Sequence, residues 1–69
     1  MNVETIGTAA GAVWQALSTA DALGLKQIKK ETKLKKDEIL AALGWLAREG
    51  KVNITPDPED AKELLVSLV

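Results

Sequence analysis

The stretch LKQIKKETKLKKDEILAALGWLAREGKV, residues 25 to 52, decides the fold of this 69-residue chain. It predicts a short basic helix, a tight turn and a longer helix that ends at Gly50. Leu25, Ile28 and Leu34 supply the apolar positions of the short helix and the turn, while lysines cover the outside. The order is helix, turn, helix.

Two signals predict the longer helix. Asp37 and Glu38 place negative charge in its first turn, where it complements the helix macrodipole. Apolar residues then recur on one face at helical spacing: Ile39, Ala42, Leu43 and Leu46. At about 100° per residue, the opposite face carries Asp37, Ala41, Gly44 and Arg48, with Leu40 and Trp45 on its two shoulders.

Further elements flank this unit. Apolar residues from Ile6 to Leu17 recur at helical spacing and predict a first helix, and residues 21–25 can form a short extended piece. Residues 51–55 alternate, with Val52 and Ile54 apolar, which predicts a half-buried strand ended by Pro56.

The last segment, residues 58–69, can be read in two ways. Asp57 as N-cap, Pro58 at the first helical position and apolar residues from Ala61 onward fit a helix. LLVSLV, within residues 64–69, also reads as a strand. A strand over residues 51–55 would leave its backbone groups without partners if it stayed single. We therefore favour a hairpin with its tip around residues 56–62.

The whole order resembles that of winged helix-turn-helix domains. Five residues resemble the V-x-x-x-L-x-x-L-x-x-x-G-x-V signature of many bacterial and archaeal regulators: Ile39, Leu43, Leu46, Gly50 and Val52. GWLARE at residues 44–49, with IGTAAGAVWQAL at residues 6–17, is similar to a family of small, stand-alone bacterial winged-helix proteins of uncharacterised function. This resemblance implies a mainly α fold with a small β-hairpin, formed as a single domain over residues 1–69. It implies DNA binding by analogy.

Composition argues against several functions. The chain has no cysteine, no histidine and no tyrosine, so thiolate metal sites and the usual proton-transfer groups are missing. We expect no enzyme, metal or cofactor, and we infer no small-molecule ligand. No apolar run approaches the roughly 20 residues that cross a bilayer, and the first residues lack the basic stretch and apolar core typical of a signal peptide. We expect a cytoplasmic protein.

Positive charge is segregated. Six of the nine Lys and Arg residues fall within residues 26–36, against one acidic residue, Glu31. These lysines can contact phosphates, and Arg48 is the one base-reading residue type on the outward face of the longer helix. The candidate nucleic-acid-binding residues are Lys26, Lys29, Lys30, Lys33, Lys35, Lys36 and Arg48. The alternative is that the lysines only solvate a helix surface.

A second hypothesis is a protein-interaction or dimerisation module. Glycine inside a helix costs about 1 kcal/mol relative to alanine, so Gly44 can mark a close approach by another helix. The candidate surface consists of Leu40, Ala41, Gly44 and Trp45. Alternatively, Trp45 folds back onto its own domain and Gly44 makes room for it.

The first helix raises a similar question. Gly7 and Gly11 lie on the same flank as Trp14, and a four-residue glycine spacing more often marks internal packing than dimerisation. We expect Trp14 to lie in the core or to cover it.

Overall fold

Three helices and three short strands follow one another in the computed structural model, which describes residues 1–60 and 62–69. In chain order they are α1 (Val3–Leu17), β1 (Leu23–Gly24), α2 (Leu25–Thr32), α3 (Lys36–Arg48), β2 (Val52–Pro56) and β3 (Leu64–Leu68). The predicted mainly α fold with a C-terminal hairpin is confirmed.

Helix α1 begins at Val3, three residues before the predicted Ile6, because Asn2 caps it. The Asn2 side-chain oxygen accepts the backbone N–H of Thr5 at 2.8 Å, and the Thr5 hydroxyl accepts the backbone N–H of Asn2 at 2.8 Å. This reciprocal capping box satisfies donors that the first turn would otherwise leave unpaired.

The turn between α2 and α3 is fixed by local hydrogen bonds. The Thr32 hydroxyl donates to the Ile28 carbonyl at 2.7 Å and accepts the Leu34 N–H at 3.3 Å. Lys33 lies in the left-handed region, with φ 60° and ψ 18°, and so turns the chain sharply. The Glu38 carboxylate then accepts the Lys35 N–H at 2.9 Å where α3 begins.

Helix α3 ends at a Schellman motif. The Gly50 N–H donates to the Ala47 carbonyl and the Lys51 N–H to the Leu46 carbonyl, both at 3.0 Å. Gly50 has φ 71°, a conformation that glycine adopts without the steric cost of a Cβ. The predicted stop at Gly50 is confirmed.

Strand β3 lies at the centre of an antiparallel sheet in the order β1-β3-β2. Val66 pairs with Leu23 on one side and with Ile54 on the other. The short extended piece predicted for residues 21–25 is a strand only at Leu23–Gly24, because Leu25 already belongs to α2. The helical alternative for residues 58–69 is wrong for Leu64–Leu68, and Ala61, one of its apolar positions, lies outside the described residues.

The core lies where α1, α2 and α3 meet one face of the sheet. Its buried residues are Ala9, Ala10, Val13, Leu17, Leu23, Ile28, Ile39, Ala42, Leu43, Leu46, Val52 and Val66. The four predicted core positions of α3 are all among them.

Two apolar residues are more exposed than the sequence predicted. Ile54 is 37% exposed, although the central Val66 opposite it is fully buried. The reason is that β2 is an edge strand of which only Val52 is buried. Trp14 is 43% exposed, so of its two expected places the core is wrong; the side chain lines a groove beside the buried Ala10 and Leu46.

Candidate nucleic-acid interface

One face of α2 is built of lysine. Lys26, Lys29 and Lys30 lie within an arc of about 100° around the helix, and Ile28 points the opposite way, into the core. All three lysines are exposed, as is Lys33 just beyond the helix. Burial of Ile28 therefore forces the positive charge of this helix outward.

Glu31, the one acidic residue in this stretch, lies on a different side of α2. With Thr32, it lines a groove that α1 forms through residues such as Trp14 and Gln15. The negative charge is thus turned away from the lysine face, which strengthens the local positive potential.

The lysine face continues onto the beginning of α3. Lys26, Lys29 and Lys36 line one cavity of about 170 Å³, whose apolar wall includes Leu25 and Ile39. Lys35 is exposed immediately before α3. Among residues 1–60 and 62–69, the one ion pair joins Lys51 to Glu49. Within those residues, no lysine of the lysine face therefore has a carboxylate within 4 Å. Six lysines thus surround the helix-turn-helix turn with their charges available to a ligand.

Arg48 lies apart from this lysine face. It is exposed in the last turn of α3, twelve residues after Lys36, which corresponds to about 18 Å along the helix axis. The sequence grouped Arg48 with the lysines by chemistry, but the structure does not bring them together in one cavity.

The first turn of α3 is occupied by its own carboxylates. Asp37 accepts the Glu38 N–H at 2.9 Å, and Glu38 accepts the Lys35 N–H. These groups satisfy helix donors that could otherwise bind a phosphate. Positive charge for an anion must therefore come from lysine side chains.

Glu63 is a site residue that the sequence did not predict. This half-buried residue directly precedes β3 and lines the same cavity as Lys26, Lys29 and Lys36. The missing information was the central position of β3, which brings the end of the wing loop against the start of α2. Pairing of Gly24 with Leu65 makes that contact.

The remaining wing tip is also acidic. Asp57 accepts the Glu59 N–H at 2.9 Å and Asp60 accepts the Lys62 N–H at 3.1 Å, so two aspartates hold tight turns. Asp57, Glu59 and Asp60 line a groove with Lys26 and Gln27. The wing therefore borders the lysine face with negative charge.

The residues of the alternative interaction surface face different neighbours. Trp45 folds back onto α1, where its Cη2 and Cζ2 atoms lie 3.7 and 3.8 Å from the position of a Cβ on Gly7. Gly44 has no atom within 4 Å of its own Cβ position, so Gly7 and not Gly44 makes room for the ring. Leu40 is 42% exposed on the other shoulder, one turn after Lys36, and Ala41 is half-buried between the two shoulders.

Residues 1–60 and 62–69 contain no group of three or more His, Cys, Asp or Glu side chains placed to hold a metal ion. Of the helices described, none has both the length and the apolar character that crossing a membrane requires.

Comparisons with solved structures find other proteins that share this fold. Protein BT2368 from Bacteroides thetaiotaomicron is 31% identical and has a TM-score of 0.82 over 99% of this chain and 79% of its own. BpsR from Bordetella bronchiseptica, whose DNA binding is regulated by 6-hydroxynicotinic acid, is 22% identical with a TM-score of 0.81. A MarR variant from E. coli complexed with operator DNA is 20% identical with a TM-score of 0.78.

All of this chain aligns with both regulators, but it spans only 52% of BpsR and 46% of MarR, about half of their length. At 22% and 20% identity, the likeness to BpsR and to MarR shows the fold alone. No curated protein matches the chain. A model of the winged helix-turn-helix domain family DUF2582 matches residues 1–68, and the chain therefore belongs to that family.

Proposed function

We propose that the chain is a DNA-binding domain of a transcription regulator and that it holds double-stranded DNA mainly through phosphates. The observation that carries the proposal is the lysine face of α2 and the α2–α3 turn. Three of its lysines, Lys26, Lys29 and Lys36, line one cavity. Positive side chains without carboxylate partners supply the electrostatic part of DNA affinity. The proposal includes that the chain acts by binding DNA and catalyses no reaction.

The fold supports the same proposal. In helix-turn-helix proteins the second helix of the motif enters the major groove and the first crosses the backbone. In this chain those helices are α3 and α2, so under this proposal the lysines of α2 lie on the side that meets phosphates. The similarity to BpsR and to MarR bound to operator DNA adds support by analogy.

We further propose that sequence discrimination is weak. The outward face of α3 carries Asp37, Ala41, Gly44 and Arg48, of which Arg48 alone can donate a bidentate pair to guanine. Asp37 is held by the Glu38 N–H, and alanine and glycine offer no hydrogen bond. Binding should therefore differ little between unrelated duplexes of equal length.

Fluorescence anisotropy with a labelled mixed-sequence duplex, at several salt concentrations, tests the proposal. Each phosphate neutralised contributes about −0.9 to the slope of log K against log salt. If all three cavity lysines contact phosphates, the combined variant Lys26→Gln, Lys29→Gln and Lys36→Gln flattens the slope by about 2.7.

Lys51→Gln is a useful control because it also removes a positive charge, but from a residue already paired with Glu49. We expect it to leave the slope unchanged. The assignment of phosphate contacts to the cavity would be contradicted if Lys51→Gln flattened the salt slope as much as a single substitution of Lys26, Lys29 or Lys36. A wild-type chain that does not bind at low salt would contradict DNA binding itself.

The alternative is a protein-interaction module that uses Leu40, Ala41, Gly44 and Trp45. The open space above Gly44 and the exposure of Leu40 favour a partner on this side of α3. Trp45 lies on the α1 flank, so we assign only Leu40, Ala41 and Gly44 to one continuous surface. A partner bound there would be lost in Gly44→Glu and would be insensitive to salt.

A further inference from the structure

A separate groove, apart from the lysine face and the wing tip, lies between α1 and the last turns of α3. It has a volume of about 360 Å³, and its lining includes Gly7, Gly11, Trp14, Trp45, Glu49 and Lys51. Both aromatic residues of the chain therefore lie on this one groove. Neither is used by the lysine face.

The two tryptophans are far more exposed than the apolar residues of the core. Trp14 is 43% exposed and Trp45 is 38% exposed, although the Trp45 ring rests on Gly7. Tryptophan is the residue type most enriched among the residues that dominate binding energy at protein interfaces. The Gly7 contact also holds the Trp45 ring in place, which lowers the entropy that a partner would have to overcome.

The outer surface of α1 is unusually poor in charge. Glu4 is its only charged residue in fifteen, whereas 28% of the whole chain is charged. Its exposed positions include Gly11, which lines the groove, and Thr8 and Gln15, which lie three residues before and four residues after Gly11 in the helix. Depletion of charge, combined with exposed tryptophan, is the composition of an interface core and not of an ordinary solvated helix.

We propose that this groove binds a second copy of the chain, forming a two-fold symmetric homodimer in which α1 packs against α1. A two-fold interface must be complementary to itself, since the same patch meets its own copy. The groove carries one acid and one base, Glu49 and Lys51, whose Oε1 and Nζ atoms lie 3.7 Å apart. Both are about half-exposed, so each can also face the opposite charge of the other copy.

Gly11 marks the point of closest approach. A Cβ built on it has no atom within 4 Å, so the backbone of α1 is open to a second helix there. In the dimer, Trp14 of each copy covers this open stretch of the other. The patch is neutral overall, which gives a strongly acidic or basic partner no complement.

The homodimer leaves the lysine face free. Trp45 lies nine residues after Lys36, about 14 Å along α3, and on the opposite shoulder. Two copies would therefore present two lysine faces at once. The dimer proposal does not depend on DNA binding, because it rests on a different surface and is measured without DNA.

Sedimentation equilibrium on the purified chain, with the variant Gly11→Glu, tests the dimer. The subunit mass is 7.4 kDa, so monomer and dimer are well separated. We expect the wild type to be dimeric and Gly11→Glu to raise the dissociation constant at least about a hundredfold, because its carboxylate would be buried without a partner. The open space around Gly11 and the poor helix propensity of glycine mean that the variant monomer should fold at least as well.

Gly44→Glu is the matched control. Gly44 is likewise an exposed helical glycine with nothing within 4 Å of its Cβ position, and the substitution adds the same charge. Dimer retained in Gly44→Glu and lost in Gly11→Glu supports the proposal. The proposal is overturned by a wild type that stays monomeric at millimolar concentration. It is equally overturned by a dimer that survives Gly11→Glu, or by one that only Gly44→Glu disrupts.

Discussion

Lys33, in the turn between α2 and α3, holds a backbone conformation that costs stability. Its φ of 60° and ψ of 18° place it in the left-handed region, where the Cβ of an L residue crowds the following carbonyl. Its backbone N–H donates to the Lys29 carbonyl at 2.7 Å, and its side chain is exposed. Lys33→Gly should keep the hydrogen bond and remove the crowding.

The size of the gain follows from two opposing terms. A non-glycine residue in the left-handed region costs about 1 to 2 kcal/mol, and glycine gives back about 0.5 to 1 kcal/mol through the greater entropy of the unfolded chain. At the midpoints of these two ranges, Lys33→Gly raises the free energy of unfolding by about 0.75 kcal/mol. For a domain of this size that corresponds to a rise in Tm of roughly 3 to 6 °C.

Urea denaturation followed by circular dichroism measures the effect, with Lys30→Gly as the control. Lys30 lies inside α2, where glycine costs about 1 kcal/mol, so the same loss of charge should there lower stability. Both variants remove one lysine from the same face and should weaken DNA binding similarly. A Lys33→Gly protein no more stable than the wild type would refute the reasoning.

Four further substitutions probe other contacts. Asn2→Ala removes the cap of α1 and should lower the free energy of unfolding by about 1 kcal/mol in urea denaturation; an unchanged midpoint would argue against the capping box. Val66→Ala should lower the free energy of unfolding by about 2 kcal/mol because the residue is fully buried, and Ile54→Ala on the edge strand should lower it less. Thermal unfolding in which Ile54→Ala is the more destabilised variant would contradict the order of strands in the sheet. Glu63→Gln removes the carboxylate from the lysine cavity and should tighten duplex binding severalfold by anisotropy, whereas unchanged or weaker binding would exclude DNA from that cavity.

Local patterns in the sequence determined most of the elements. The periodic apolar residues of α3 predicted its buried face, and Gly50 predicted its end, since only the residues of that helix and its cap take part. The lysine face of α2 was equally predictable, because burial of Ile28 fixes where its neighbours point. The sequence also determines the family, since a family model matches residues 1–68.

The tertiary structure decided the contacts between residues that are distant in the sequence. The central position of β3 buries Val66, leaves Ile54 at an edge and carries Glu63 into the lysine cavity. Packing of α3 on α1 seats Trp45 against Gly7. Each of these outcomes depends on which segments meet in space. Periodicity and capping report which face of a segment is buried, but carry no information on the partner that buries it.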